Sequence, residues 1–176
     1  MIREWKAGDK DALVKHADNS KIASNLRDWF PSPYTNNDAK EFLSIVTASK
    51  PPAIFAITTT SEAIGGIGLT IGKDVHRLTA ELGYWLAETY WGKGIMTSAV
   101  TAITEIAFNQ FGLNRVYAEP FMSNTASVKV LEKAGFQFEG RLRASVIKNG
   151  QVLDQLLYSK VKEGVIVEKV RSHIYP

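Results

Sequence analysis

Two glycines, separated by one lysine, lie between a strand-like segment and a helical one, and they restrict the possible folds of this chain more than any other feature. Residues 81–86 have the apolar and aromatic character of a strand, and residues 97–111 carry apolar side chains at helical spacing. Gly92 and Gly94 let the backbone turn sharply and come close to a ligand. The first amides of the following helix have no partners within that helix. The junction therefore predicts an anion-binding turn, most often for a phosphate or pyrophosphate.

The predicted anion site consists mainly of backbone amides. The helix dipole and the side chain of Lys93 add positive charge at the same point. The candidate residues are those of the turn and of the first helical turn: Trp91, Gly92, Lys93, Gly94, Ile95, Met96 and Thr97. A glycine turn also precedes many helices that bind nothing, so the rest of the chain has to decide between a binding loop and an ordinary helix start.

Composition excludes several classes of protein. The 176 residues, 45% hydrophobic and 22% charged, suit a single globular domain spanning 1–176. A net charge of +3 without any block of like charges argues against nucleic-acid binding. The chain has no cysteine, and His16, His76 and His173 show no ligand spacing, so we expect no metal site. We expect a cytoplasmic protein with no membrane association, because no secretory leader or membrane-spanning apolar run is present.

The order of predicted elements indicates an α/β (α+β) fold. The predicted strands are 2–6, 53–59, 64–71, 78–90, 115–121, 136–148 and 152–161, and the predicted helices are 9–18, 19–30, 35–50, 94–111 and 124–134. Asn149-Gly150 is the preferred two-residue turn for the last hairpin. The unit from Glu81 to Phe121 predicts two parallel strands joined by a right-handed crossover. The expected result is a mixed, twisted sheet with helices on both faces.

This order, with a glycine turn after the fourth strand, resembles the GNAT superfamily of acetyl-CoA-dependent N-acetyltransferases. The stretches that carry the resemblance are Glu81-Leu82-Gly83-Tyr84-Trp85-Leu86 with Gly92-Lys93-Gly94, Leu113 to Pro120, Asn124 to Ser127, Val130 to Phe136, and Glu139-Gly140. The chain is most similar to the RimJ/RimL branch, named for enzymes that acetylate the N-termini of ribosomal proteins. The resemblance covers residues 2–161. It implies a mostly antiparallel sheet of about seven strands in which a parallel central pair splays apart at the acetyl-CoA site.

The resemblance also implies how acetyl-CoA, as the co-substrate, is held. Its pyrophosphate would bind the glycine turn, and its pantetheine arm would pair with the fourth strand. A backbone amide near Trp85 or Leu86 would then face the thioester carbonyl. Asn124 either hydrogen-bonds the pantetheine or caps its own helix, and we favour both roles together.

Three further residues are candidates for the chemistry. Glu81 and Glu119 match the two carboxylate positions that act as bases in different GNAT enzymes, and the sequence does not choose between them. Many members carry a tyrosine acid seven residues after the asparagine, where this chain has Leu131. Ser127, three residues after Asn124, is the candidate replacement near the leaving sulfur.

We therefore expect an N-acetyltransferase that moves an acetyl group to a primary amine by direct attack in a ternary complex. A protein N-terminal α-amine and a small amine are both candidate acceptors. The alternative is a non-catalytic CoA-binding sensor or module. A nucleotide-binding protein is a third class. However, Gly72-Lys73 is followed by Asp74 and does not fit a phosphate-binding loop, and Gly66-Ile67-Gly68 lacks the third glycine of a dinucleotide fingerprint at Ile71. The sequence leaves open whether the protein is a monomer or a homodimer.

Overall fold

The computed structural model of the protein describes residues 1–165, and His173 lies outside this part of the chain. The strands are β1 (Ile2–Glu4), β2 (Ile54–Thr58), β3 (Ala63–Ile71), β4 (Thr79–Leu86), β5 (Arg115–Ala118), β6 (Gln137–Lys148) and β7 (Gln151–Val161). The helices are α1 (Lys10–Ala17), α2 (Ser20–Ala23), α3 (Asn36–Ala48), α4 (Ile95–Asn109) and α5 (Thr125–Lys133). Short 3-10 turns precede α1, separate β3 from β4, and follow β4.

All seven strands form one sheet in the order β1-β2-β3-β4-β5-β7-β6. Neighbouring strands are antiparallel except β4 and β5, which are parallel. The sequence prediction of a mixed, mostly antiparallel sheet with a parallel central pair is therefore confirmed. Asn149 and Gly150 form the turn between β6 and β7, and both have positive φ, as this hairpin turn requires.

Helices cover both faces of the sheet. On one face α4 and α5 pack against β2 to β5, with Val100, Ile103 and Leu131 fully buried. On the other face α1, α2 and α3 enclose a second cluster around Trp5 and Leu43. The side chains of β4 pack alternately into the two clusters, because successive side chains of a strand point in opposite directions.

The parallel pair opens into a gap at its carboxyl end. β4 and β5 pair at three positions, the last of which joins Glu81 to Tyr117. Beyond that point β4 continues to Leu86 beside β3, whereas β5 continues beside β7. The two strands therefore splay apart as expected, and the free edge of β4 faces the gap.

Two predicted elements differ most in extent from those observed, and the others match the observed lengths to within three residues. The predicted helix 19–30 ends after Ala23, and the chain continues to Phe30 in turns. Side chains contribute to this ending, because the Nδ2 atom of Asn25 donates to the Lys21 carbonyl over 3.0 Å, and such local bonds compete with helix continuation. The predicted strand 78–90 is also shorter and ends at Leu86, after which the chain enters a 3-10 turn.

Candidate active site

The glycine turn lies between β4 and α4 with the backbone that its sequence predicts. Gly92 and Gly94 have φ of +73° and +74°, which other residues adopt only with strain. Gly94 is the N-cap of α4 and has no side chain to cap the helix. The first backbone bond into this helix runs from the Ser98 amide to the Gly94 carbonyl over 3.1 Å. The amides of Ile95, Met96 and Thr97 therefore lie at the helix start without helical partners.

Space and charge at this turn suit an anion. A Cβ atom on Gly92 or Gly94 would meet nothing within 4 Å, so the surface above both glycines is open. Lys93 is exposed and places its ammonium 5.2 Å from the centre of the Tyr90 ring. Trp91, also exposed, donates its indole N–H to the Leu86 carbonyl over 2.7 Å. This bond ties the turn to the end of β4.

The edge of β4 offers backbone groups to the gap. Ala87 donates its amide to the Ile64 carbonyl over 2.8 Å, which fixes the alternation of hydrogen bonds between β3 and β4. In that alternation Trp85 directs its backbone groups toward β3, and Leu86 directs its amide toward the gap. The sequence suggested that the amide of Trp85 or of Leu86 faces the thioester. Of these two, the Leu86 amide faces the gap, and so does the amide of Tyr84, two residues earlier.

One side of the gap carries hydroxyl groups. The Oδ1 atom of Asn124 accepts from the Ser127 amide over 3.1 Å, so Asn124 caps α5 as expected. The Ser127 Oγ lies 2.7 Å from the Tyr84 hydroxyl, and the same hydroxyl is 3.4 Å from the Ser127 carbonyl. The side chain of Leu131 is fully buried. The position at which many GNAT enzymes carry a tyrosine acid is thus part of the core here.

Tyr84 is a site residue that the sequence did not reveal. The sequence predicts that Tyr84 lies in a strand, but the strand pattern does not show which helix residue its hydroxyl contacts. Burial raises the pKa of Tyr84 to about 12, and the bond with Ser127 opposes that rise. Tyr84 therefore keeps its proton at neutral pH and can donate it in a hydrogen bond.

The other face of the gap carries the two candidate bases. Glu81 and Tyr117 are parallel partners, and Glu119 follows Tyr117 by two residues, so all three side chains point to the same face. Arg27, from the irregular segment after α2, forms a hydrogen-bonded ion pair with Glu81. The backbone of Glu119 is fixed by a hydrogen bond, because Gln155 donates its side-chain amide to the Glu119 carbonyl over 2.8 Å.

The two carboxylates differ in their surroundings. Burial raises the pKa of Glu119, the negative charge of Glu81 raises it further, and the positive charge of Arg27 lowers it. Glu81 is engaged in an ion pair with Arg27, whose own side chain is exposed. The raised pKa suits the half-buried Glu119 to accept a proton, whereas the Glu81 carboxylate is occupied by its hydrogen bond from Arg27.

The gap thus has two chemically distinct sides. The side chains of Ala80, Leu82, Tyr84 and Leu86 face α4 and α5, whereas Glu81 and Trp85 face the irregular segment 24–32. The Tyr84–Ser127 hydroxyl pair therefore lies on one side and the two carboxylates on the other. Within residues 1–165 no three histidine, aspartate or glutamate side chains are grouped as a metal site. None of the helices described has the length and apolar character needed to cross a bilayer.

Comparison with known proteins gives a consistent result. Residues 1–137 match the family described as Acetyltransferase (GNAT) domain. The uncharacterized N-acetyltransferase p20 of Bacillus licheniformis is 28% identical over 167 residues, which is 92% of this chain and 92% of that protein. The spermidine N(1)-acetyltransferase of Escherichia coli strain K12 is 27% identical over 139 residues, covering 78% of this chain and 73% of that protein.

Solved structures share the fold. RimJ of Mycobacterium smegmatis, in complex with CoA-disulfide, superposes with a TM-score of 0.80 at 25% identity, covering 92% of this chain and 81% of that one. The ribosomal-protein-S5-alanine acetyltransferase from Vibrio fischeri superposes with a TM-score of 0.78 at 25% identity, covering 93% of each chain.

Proposed function

The chain belongs to the GNAT family of N-acetyltransferases, and we propose that it transfers the acetyl group of acetyl-CoA directly to a primary amine while both are bound. The observation that carries this proposal is the junction of an uncapped helix start with the open edge of β4. The helix start offers amides to a pyrophosphate, and the edge of β4 offers amides to an extended chain. A protein N-terminal α-amine is the first candidate acceptor, because a ribosomal-protein acetyltransferase shares the fold over most of the chain. A small amine is the second, because a spermidine acetyltransferase is among the relatives.

The residues at the gap fit acetyl-CoA. Gly92, Gly94 and the amides of Ile95, Met96 and Thr97 would hold its pyrophosphate, with Lys93 adding charge. The Asn124 side chain retains two N–H donors beside its capping oxygen, and these would reach the pantetheine. Acetyl-CoA supplies the acetyl group as a thioester. The Leu86 amide would donate to the thioester oxygen as negative charge develops on it.

The carboxylates would activate the amine. An ammonium has no lone pair, so the acceptor must lose a proton before or during attack. Glu119 is the preferred base, directly or through a water, because its pKa is raised and its side chain faces the gap. Glu81, held by Arg27, would tune Glu119 through its charge rather than take the proton itself.

The hydroxyl pair would stabilise the leaving sulfur. A Tyr84 pKa of about 12 lies well above the roughly 8.5 of an ordinary cysteine thiol. Net transfer of the tyrosine proton to a thiolate is therefore unfavourable. We infer that Tyr84 donates to the Ser127 Oγ, which leaves the serine proton to hydrogen-bond the sulfur. Solvent would then complete the protonation.

A turnover assay tests this proposal. The protein would be incubated with acetyl-CoA and a panel of N-terminal peptides, polyamines and amino sugars, and free thiol would be followed. We expect amine-dependent thiol release together with acetylated amine identified by mass. Binding of acetyl-CoA without turnover of any amine would instead support the alternative, a non-catalytic CoA-binding module.

A further inference from the structure

A cavity of about 600 Å³ lies between the irregular segment after α2 and the turn that joins β6 to β7. The lining residues that matter here are Ser20, Asp28, Phe30, Ser32, Lys148 and Asn149. Phe30 is buried and forms an apolar wall, whereas the other five contribute polar groups. Lys21 also lines the cavity, but its ammonium forms an ion pair with Glu88. The cavity therefore combines apolar contact with hydrogen-bond donors, as pockets for small polar ligands do.

Lys148 is the unusual member of this lining. Its side chain is only 8% exposed, although lysine is rarely buried. The ammonium donates to the Asp28 Oδ1 over 2.7 Å, but the Asp28 side chain is 76% exposed. A carboxylate so accessible to water compensates a buried charge poorly, because solvent screens it. An ammonium has three N–H donors, so Lys148 can bind a second anion in addition to Asp28.

The cavity adjoins the carboxylate side of the gap. The Phe30 ring centre lies 6.0 Å from that of Trp85, which shares its face of β4 with Glu81. Arg27, beside Asp28 in the chain, forms the ion pair with Glu81. The cavity and the carboxylates therefore lie on the same side of the sheet, and the acceptor proposed below would have to reach from one to the other past Trp85 and Phe30.

We propose that the acceptor carries an anionic group, a carboxylate or a phosphate, and that Lys148 binds this group in the cavity. The inference rests on the proposed acetyl transfer and narrows its acceptor class. Asp28 holds the ammonium in place until the acceptor anion joins it. A polyamine would instead bring a second ammonium next to Lys148, and like charges at short range repel. Polyamines are accordingly expected to be poor acceptors.

The test compares matched peptides that differ only in charge. Each has an N-terminal alanine and an amidated C-terminus, and carries glutamate, phosphoserine or glutamine at its second, third or fourth position. Wild-type protein should use the best acidic peptide with a kcat/KM about tenfold or more above that of its glutamine counterpart, the scale of one charge-assisted hydrogen bond. The glutamate and phosphoserine arms show which anion is preferred.

Three variants separate recognition of the acceptor anion from a structural role of the ion pair. In Lys148→Met the ratio of kcat/KM between the acidic and the glutamine peptide should fall to about one, whereas Lys148→Arg should retain part of it. Asp28→Asn breaks the same ion pair but keeps the ammonium, so it should keep or increase the ratio. Thermal unfolding provides a readout that does not depend on turnover, because the acidic peptide should raise the Tm of wild type but not of Lys148→Met.

The outcomes are distinguishable. Equal use of acidic and glutamine peptides by wild type, an unchanged ratio in Lys148→Met, or a preference for spermidine would each overturn the inference while leaving acetyl transfer intact. Loss of the preference for the acidic peptide in both Lys148→Met and Asp28→Asn would also overturn the inference, because the ion pair would then have only a structural role. Absence of turnover with every amine would contradict the proposed function itself.

Discussion

The hydroxyl oxygens of Tyr84 and Ser127 lie 2.7 Å apart and connect the free edge of β4 to the first turn of α5. The two residues are 43 positions apart in the chain. Their side chains meet on the side of the gap that faces α4 and α5, opposite the two carboxylates. In the proposed mechanism this hydroxyl pair stabilises charge on the leaving sulfur, since the position at which many GNAT enzymes carry a tyrosine is the buried Leu131 here.

If this pair acts as a unit, its two members should not contribute independently. Ser127→Ala should lower kcat by roughly tenfold, about 1.4 kcal/mol of barrier, because the sulfur loses its donor. Tyr84→Phe should lower kcat by less, since Ser127 can still donate. The kcat of the double variant should be no lower than that of Ser127→Ala alone, because the effects of coupled residues are not additive. The measurement is single-turnover kinetics, with acetyl-CoA affinity as the control. Additive losses, or wild-type kcat in Ser127→Ala, would contradict the coupling.

The charges around Glu119 should move the acid limb of the pH–rate profile in opposite directions. Glu81→Gln removes a negative charge that raises the pKa of Glu119, so the limb of kcat/KM should shift to lower pH. Arg27→Met removes the positive charge that lowers that pKa, so the limb should shift to higher pH. One acceptor must be used throughout, because its own ammonium also titrates.

The same comparison includes Glu119, the proposed base. Glu119→Gln should lower kcat by about 10²-fold, the usual scale for a general base. The reduction in kcat should be smaller at high pH, where the amine deprotonates without assistance. If Glu81→Gln has the larger loss of kcat, Glu81 is the base and the roles proposed above are reversed.

Glu119 should also affect stability with a defined sign. Its pKa is raised in the folded state, so the folded protein holds this proton more tightly than the unfolded chain. The free energy of unfolding should therefore decrease as pH rises through the window from the ordinary glutamate pKa to the raised one. Glu119→Gln should raise the Tm at neutral pH, and this gain should disappear in acid below that window.

Glu139 provides the matched control for that experiment. Its hydrogen bonds with Arg115, opposed by burial, keep its pKa below the ordinary value. The stabilisation from this carboxylate is present above the ordinary pKa and is lost as pH falls through the lowered one. Glu139→Gln should thus lower the Tm at neutral pH, opposite to Glu119→Gln. Equal signs in calorimetry would show that the two environments do not differ as described.

The glycine turn can be tested apart from backbone strain. Gly94→Leu places a side chain at positive φ, which costs about 1–2 kcal/mol, and covers the amides of the first turn of α4. Gly112 has φ of +64° at the other end of that helix and equally open space, so Gly112→Leu matches the strain away from the site. Calorimetry should show acetyl-CoA binding weakened at least about tenfold by Gly94→Leu only. Equal affinities in the two variants would remove the turn from the binding site.

Substitutions of Asn124 can separate capping from ligand binding. Asn124→Ala should lower stability by about 1 kcal/mol, because the Ser127 amide loses its acceptor. Asn124→Ser keeps a capping oxygen but removes the side-chain N–H donors. Chemical unfolding should show that Asn124→Ser retains most of the stability, and titration should show that it binds acetyl-CoA more weakly than wild type. Unchanged affinity in Asn124→Ser would leave Asn124 as a cap alone.

Several features of this protein were determined locally and could be predicted from the sequence. Glycines at positive φ before α4, the Asn149-Gly150 turn and the Asn124 cap each follow from dihedral preferences or from hydrogen bonds within a few residues. The same holds for the spacing that puts Ser127 one helical turn after Asn124. Such rules act within one element, so they are visible along the chain. The order of elements then sufficed for the family resemblance and the sheet.

Only the tertiary structure decided which side chains from different elements meet. The contacts of Tyr84 with Ser127, of Arg27 with Glu81 and of Lys148 with Asp28 join residues 43, 54 and 120 positions apart. Each depends on sheet register, on the splaying of β4 from β5, and on the path of the segment after α2. That segment was predicted as helix, because its local composition permits one. Its irregular course instead places Arg27 at Glu81 and Phe30 in the core, and these packing energies come from partners that the local sequence does not contain.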